Sequence, residues 1–173
     1  MRPNWTNFWF VIALMYSTRG TCDRLRTACV IVKDKRLVGA GYNGSAHGLP
    51  HCDDVGHLLI DNHCERTLHG EENAILNTPR EDLKGASAYI VGTPCIRCAR
   101  MLVNSGVKVV NFLGEYANSR GKEYMEELEK NTDVKFIQYQ LSPEELLKQA
   151  VERLEGPGGA IRRAGENNTP PQV

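Results

Sequence analysis

The sequence has no excess of either charge: 21 Lys and Arg stand against 21 Asp and Glu. A chain built to hold a polyanion would be basic, so nucleic acid is not the expected partner. Aromatic residues are few, at 7%, which withholds the stacking surface that single-stranded RNA calls for. A long hydrophobic run is also missing. The stretch "FWFVIALMY", Phe8 to Tyr16, has nine residues, against the roughly 20 that cross a bilayer. A secretory signal would want a basic start and a small-residue cleavage site; one Arg precedes this stretch and "STRGTCDR" follows it. It reads as a buried first helix, with no membrane partner and a cytoplasmic location. Six cysteines in a reducing compartment are better explained by metal binding or catalysis than by disulfides.

At 173 residues the chain fits one domain that buries a real core without needing a metal merely to fold. After the first helix, "ACVIVKDKRLVGAGYN" holds two apolar runs parted by "KDKR", a hairpin from Ala28 to Tyr42. Residues 43–66, rich in Gly, Asn, Asp and His, show only a short apolar patch at Leu58 to Ile60. A loop that long is functional or is held by something other than a core. Regular alternation then sets in: "EENAIL" as helix, "ASAYIVG" as strand, "PCIRCARMLVNSG" as a helix opened by Pro94 and ended by Gly106, and "VKVVNFL" as strand. There follow "KEYMEELEKN" as helix, "VKFIQYQL" as strand, and a last helix capped by Ser142. The pattern predicts an α/β layered domain over residues 1–156, a mixed five-stranded sheet covered by helices. The Pro-, Gly- and Asn-rich stretch 157–173 reads as a flexible tail.

His69 and Glu71 lie two apart in "LHGEENAIL", and "TPCIRC" places Cys95 and Cys98 behind Pro94. A CxxC pair alone would also suit a redox motif, which needs no histidine. One imidazole and two thiolates make three zinc ligands and leave a fourth position for water, the arrangement of a catalytic zinc. Cys95 at a helix start gains from backbone N–H groups that favour a thiolate. Zinc brings the pKa of a bound water toward neutrality, and Glu71 is close enough in sequence to move that water's proton. The combination H-x-E … P-C-x-x-C is the signature of zinc nucleobase deaminases.

All five histidines, His47, His51, His57, His63 and His69, fall within 23 residues, a window that also holds Cys52 and Cys64. Together with Cys22 these two cysteines accompany the coreless loop, and a structural zinc held by three thiolates and one His would fix it. The fourth ligand is His57 or His63; because adjacent side chains diverge, His63 fits less well beside Cys64. Cys29, in "ACVIV", reads as packed core.

From Trp5 to Gln140, the segments "STRGTCDRL", "DKRLVGAGYNGS", "HCDDVGHLLIDNHCERTLHGEENAI" and "TPCIRCARMLVNSGVKVV" resemble the deoxycytidylate (dCMP) deaminases, in particular the bacterial and phage late-competence-type branch. The resemblance implies the cytidine-deaminase-like fold and zinc-dependent hydrolysis of dCMP to dUMP and ammonia, supplying dUMP for thymidylate synthesis. It implies a catalytic zinc at His69, Cys95 and Cys98 with Glu71 as proton shuttle, and lends support to the second zinc. It places "GYNG", Gly41, Tyr42, Asn43 and Gly44, near the nucleotide and at a site for dCTP activation and dTTP inhibition. Asn43 would hold the sugar hydroxyl, while Asn73 and Tyr116 would position the nucleotide and stack on its base. A homo-oligomer, specifically a hexamer, is the implied assembly. Arg24 and Arg26 are candidates for the phosphate. Two departures stand out: the usual H-A-E reads His69-Gly70-Glu71, a glycine expected to loosen the turn that aims the carboxylate, and Thr27-Ala28-Cys29 replaces V-G-A. The rival readings are a deaminase of another base, nucleoside or tRNA adenosine, and a non-catalytic zinc-stabilised binding module, which would have no use for Glu71.

Overall fold

The computed structural model describes residues 2–114 and 119–161. The first helix, α1 (Trp5–Ser17), starts at Asn4, whose side chain accepts the Asn7 N–H. The hairpin forms as expected from β1 (Ala28–Lys33) and β2 (Arg36–Tyr42), with Asp34 and Lys35 taking positive φ at its turn. The stretch 43–66 is more structured than its composition suggests: it holds β3 (Gly44–Ser45), α2 (Cys52–Val55), β4 (Leu59–Ile60) and β5 (His63–Cys64). Its apolar patch nevertheless packs into nothing, since Leu58, Leu59 and Ile60 are each at least half exposed. Then come β6 (Thr67–Leu68), α3 (Gly70–Leu76), a single turn α4 (Arg80–Leu83), β7 (Ser87–Val91), α5 (Ile96–Ser105) and β8 (Val109–Leu113). The chain continues through α6 (Ser119–Asn131), β9 (Lys135–Tyr139) and α7 (Pro143–Glu155).

The main sheet is mixed, in the order β2-β1-β7-β8-β9, antiparallel on the hairpin side and parallel from β7 to β9. β1 is buried on both faces, as its unbroken apolar run requires. Cys29 and Ile31 join the core beneath α3 and α5 with Ala74, Ile90 and Leu102, while Val30 and Val32 pack under Trp9 and Ala13 of α1. A third cluster joins Phe10 and Leu14 of α1 to Leu113 and to Leu146 of α7, with the Phe10 ring edge-on to Tyr89 and Tyr139.

Two boundaries differ from the sequence reading. Pro94 does not open α5; Cys95 is the N-cap, extended at φ −73° and ψ 164°, and its Sγ accepts the Cys98 N–H. The thiolate thus does the capping work a Ser or Asp would do. The expected tail also begins folded: beyond α7 the chain turns back, and the Ile161 N–H donates to the Leu154 carbonyl. Residues 162–173 lie outside the described part. Among the described residues no helix is long and apolar enough to cross a membrane.

Candidate active site

Two helix starts face one another. His69 is the N-cap of α3 and Cys95 the N-cap of α5. This brings Cys95 Sγ to 3.6 Å and Cys98 Sγ to 3.4 Å from His69 Nδ1, so one imidazole nitrogen and two sulfurs from distant segments can share a single ion. Cys95 and Cys98 share a proton unevenly: the hydrogen bond from Cys98 holds the Cys95 thiol down at about 3, and the same bond together with burial raises Cys98 far above the ordinary thiol range. The hydrogen bond to Cys95 raises the His69 imidazole. A thiol pair with one partner acidified by the other is a donor set that zinc can complete by displacing protons.

Glu71 lies in the first turn of α3 and is buried, 3% exposed. Burial pushes its carboxyl up to about 7, the range in which one group serves as both base and acid at neutral pH. His69, Glu71 and Cys95 line a cleft of about 830 Å³ whose other walls include Asn43, Arg24, His63, Cys64, Thr93 and Arg97.

The second cluster assembles Cys22, Cys52, His57 and Cys64, with one ligand atom from each lying within 4.8 Å of the others. His63 is not in it. Across the β4–β5 hairpin Leu59 pairs with Cys64 and Ile60 with His63, and adjacent strand residues point to opposite faces; both residues border the cleft, but only Cys64 reaches the cluster. His57 Nδ1 lies 3.7 Å from Cys22 Sγ, and its Nε2 lies 3.1 Å from the Asp23 carboxylate. A carboxylate behind the distal imidazole nitrogen is the usual partner of a metal-bound histidine. Desolvation raises the Cys64 thiol, but hydrogen bonds from the Arg66 backbone, Cys52 and His57 outweigh it and hold it at about 6. Cys29 stays apart from both clusters, wholly buried in β1, where burial raises its thiol.

The residues assigned to the nucleotide divide. Asn43 is buried on the cleft wall, and its amide is engaged with the neighbouring backbone, accepting the Thr27 N–H at 2.8 Å and donating to the Leu25 carbonyl at 2.9 Å. Asn73 is not on that wall; its amide donates to the Tyr42 carbonyl at 2.8 Å and ties α3 to the end of β2. Tyr116 lies outside the described residues. Gly41 and Gly70 prove to be contact glycines: a Cβ on Gly41 would come within 2.3 Å of the Ala74 nitrogen, and one on Gly70 within 2.9 Å of Ala28 Cα. The glycine between His69 and Glu71 thus has a packing role as well: it lets α3 lie against the backbones of β1 and β2.

Three residues escaped the sequence reading, Glu72, Arg97 and Asp23. Glu72 accepts the His69 N–H at 2.7 Å and Arg97 Nη2 at 3.1 Å, and Asp23 backs His57. The first had a signal: a Glu three residues after an N-cap is half of a capping box, hidden here because the cap is a histidine.

The profile of the cytidine and deoxycytidylate deaminase zinc-binding region matches residues 3–114. The chain belongs to this family. Among relatives of this deaminase, ComE operon protein 2 of Bacillus subtilis (strain 168) is 37% identical over 142 residues, covering 81% of this chain and 74% of its own. The deoxycytidylate deaminase of Mycobacterium phage D29 is 32% identical over 120 residues, 63% of this chain and 94% of its own. The dCMP deaminase of cyanophage S-TIM5, solved in complex with dCMP and dUMP, superposes with a TM-score of 0.64 over 80% of this chain and 99% of its own, at 23% identity; that likeness establishes the cytidine-deaminase-like fold. The deaminase is an enzyme of a zinc-binding family, and its His and Cys groups are suited to that metal.

Proposed function

We propose that the protein is a zinc-dependent dCMP deaminase, hydrolysing dCMP to dUMP and ammonia and so supplying dUMP for thymidylate synthesis. The observation that carries the reading is a buried carboxyl, raised to about 7, that shares a cleft with His69 and Cys95 of the His–Cys–Cys triple. A binding module would gain nothing from burying Glu71 there. Relatives named deoxycytidylate deaminase, from a phage to Homo sapiens, support the substrate.

In this reading His69, Cys95 and Cys98 hold the catalytic zinc, which supplies an acidified water when bound. Glu71 would take one proton of that water and pass it to N3 of the cytosine as the water's oxygen adds to C4, then take the second proton from that oxygen and deliver it to the C4 amino group, which leaves as ammonia. Its raised pKa suits both transfers. Cys22, Cys52, His57 and Cys64 hold a second, structural zinc, a role supported by their closeness and by Asp23 behind His57. Asn43 serves the sugar from the cleft wall, Tyr116 is assigned to stack on the base, and Asn73 acts only from behind that wall, through its hold on the end of β2. With the same reading go the hexamer and the response to dCTP and dTTP through the Gly41–Gly44 motif.

The test is ammonia release from zinc-loaded protein offered dCMP, deoxycytidine, dCTP and a tRNA anticodon stem-loop. Turnover of dCMP is expected to exceed that of the others, and Glu71→Gln is expected to lower it by about 10²–10⁴-fold at unchanged zinc content. A Gln variant as fast as the parent would overturn the role of Glu71. Turnover of another amine in place of dCMP would discard the substrate.

A further inference from the structure

The two halves of the metal-ligand set belong to different helices, and something must keep them in register. The histidine stands at the start of α3 and the cysteines at the start of α5. Among the described residues, one ion pair joins these helices: Glu72 with Arg97, at 3.1 Å. The same Glu72 oxygen accepts the His69 backbone N–H at 2.7 Å. The Glu72 side chain is 9% exposed, and Arg97 sits in sequence between Cys95 and Cys98.

We propose that Glu72 and Arg97 form a staple that sets the zinc geometry, Glu72 acting as a positioning residue for His69 and Arg97 carrying that position across to the cysteines. The inference rests on the reading that His69, Cys95 and Cys98 bind zinc. The reasoning is geometric. An N-cap residue has extended, non-helical backbone, so the helical ladder itself does not fix the peptide plane at His69; the reciprocal capping contacts with Glu72 do. Fixing the His69 N–H fixes the peptide plane from which the ring projects. Glu72 does this with a charge-assisted hydrogen bond, shorter and stronger than a neutral one. The carboxylate is nearly removed from water, where it would be costly if unpaired; Arg97 pairs it, and the same contact anchors the first turn of α5. Loss of either partner frees the ring to swing against the sulfurs. Partners behind metal ligands carry about 10–100-fold in metal affinity, and a mispositioned ligand also alters the electronic spectrum of a bound metal.

The experiment is zinc competition against a chromophoric chelator, together with visible absorption of the cobalt-substituted protein, for Glu72→Gln, Arg97→Met and Arg97→Lys. His69→Ala identifies which zinc belongs to this site. In Glu72→Gln and Arg97→Met, the zinc that His69→Ala abolishes is expected to bind about 10–100-fold more weakly, with a shifted cobalt spectrum and an unchanged second class of zinc. Arg97→Lys, which keeps the charge and an N–H donor, is expected to recover most of the affinity. Arg97 is half exposed, so its variants fold and report even where Glu72→Gln does not. An intact His69-dependent zinc with parental affinity and spectrum in Arg97→Met would overturn the staple. A parental protein with no His69-dependent zinc would overturn the underlying metal reading instead, and the two failures are thereby distinct.

Discussion

The two thiol-and-imidazole clusters present the same ligand chemistry on opposite kinds of support. His69, Cys95 and Cys98 stand at the starts of α3 and α5, helices whose inner residues Ala74 and Leu102 are wholly buried in the main core. Cys22, Cys52, His57 and Cys64 hang on loops and short elements between α1 and β6, a region whose apolar residues Leu58, Leu59 and Ile60 remain exposed. The fold holds the first cluster in place. The second cluster holds part of the fold, and that part is a wall of the cleft, since Cys22 and Cys64 line it with His69 and Cys95. On the proposed reading, a metal at the first site would serve chemistry on a prepared frame, whereas a metal at the second would stand in for a missing core.

The comparison can be broken most forcefully through the buried charge that only the first region carries. Glu71 has its carboxyl raised by burial from 4.5 to about 7. The folded chain therefore keeps a proton that the unfolded chain gives up earlier. The stability this contributes is fully present below about 4.5 and is lost as pH climbs through about 7. In metal-free protein, the denaturation free energy of the parent relative to Glu71→Gln is expected to fall by up to about 3 kcal/mol across that window. A flat difference would mean that water reaches the carboxylate and that the first region is no more a prepared frame than the second.

That contrast also explains what could be read from the sequence alone. The sheet was legible because β1 and β7 to β9 announce themselves as short apolar runs, and the catalytic triple because each ligand sits at a helix start beside a Pro or Glu marker. The ligands of the second cluster span residues 22 to 64, and no local pattern unites them. The preference for His57 over His63 came only from the rule that neighbours diverge; the structure sets His57 beside Cys22 in the cluster. Asp23 and Arg97 were invisible because their partners are 34 and 25 residues away. The packing role of Gly70 was not legible because it lies against the backbone of β1, a contact across 42 positions.

A smaller effect tests whether the second region is an independent metal site. Asp23 faces His57 but is two-thirds exposed, so its contribution falls at the low end of what carboxylate partners give. Asp23→Asn is expected to weaken one zinc by about tenfold, to leave the His69-dependent zinc unchanged, and to speed proteolysis within residues 46–66. Equal weakening of both zincs would show the clusters to be coupled through the cleft wall and would end the distinction between them.

The smallest effect asks whether the second region touches the substrate at all. Arg24 and Arg26 are equivalent in sequence as phosphate candidates, but the structure separates them. Arg24 lines the cleft and is steadied by the Asn62 carbonyl at 2.8 Å, whereas Arg26 donates to the Gly20 carbonyl and meets Asp53 at 3.7 Å in a separate hollow of about 300 Å³. Arg24 is anchored to the turn of the β4–β5 hairpin, so the hairpin's order sets where its charge stands. Because that charge is exposed, its pull on a phosphate is worth up to about 1 kcal/mol, roughly fivefold. Arg24→Ala is expected to raise KM for dCMP by about that factor with kcat and the use of deoxycytidine unchanged, while Arg26→Ala leaves all three alone. An effect of Arg26→Ala equal to that of Arg24→Ala would place the phosphate outside the cleft. An effect of Arg24→Ala on deoxycytidine as large as on dCMP would mean that the hairpin shapes the cleft without reading the phosphate.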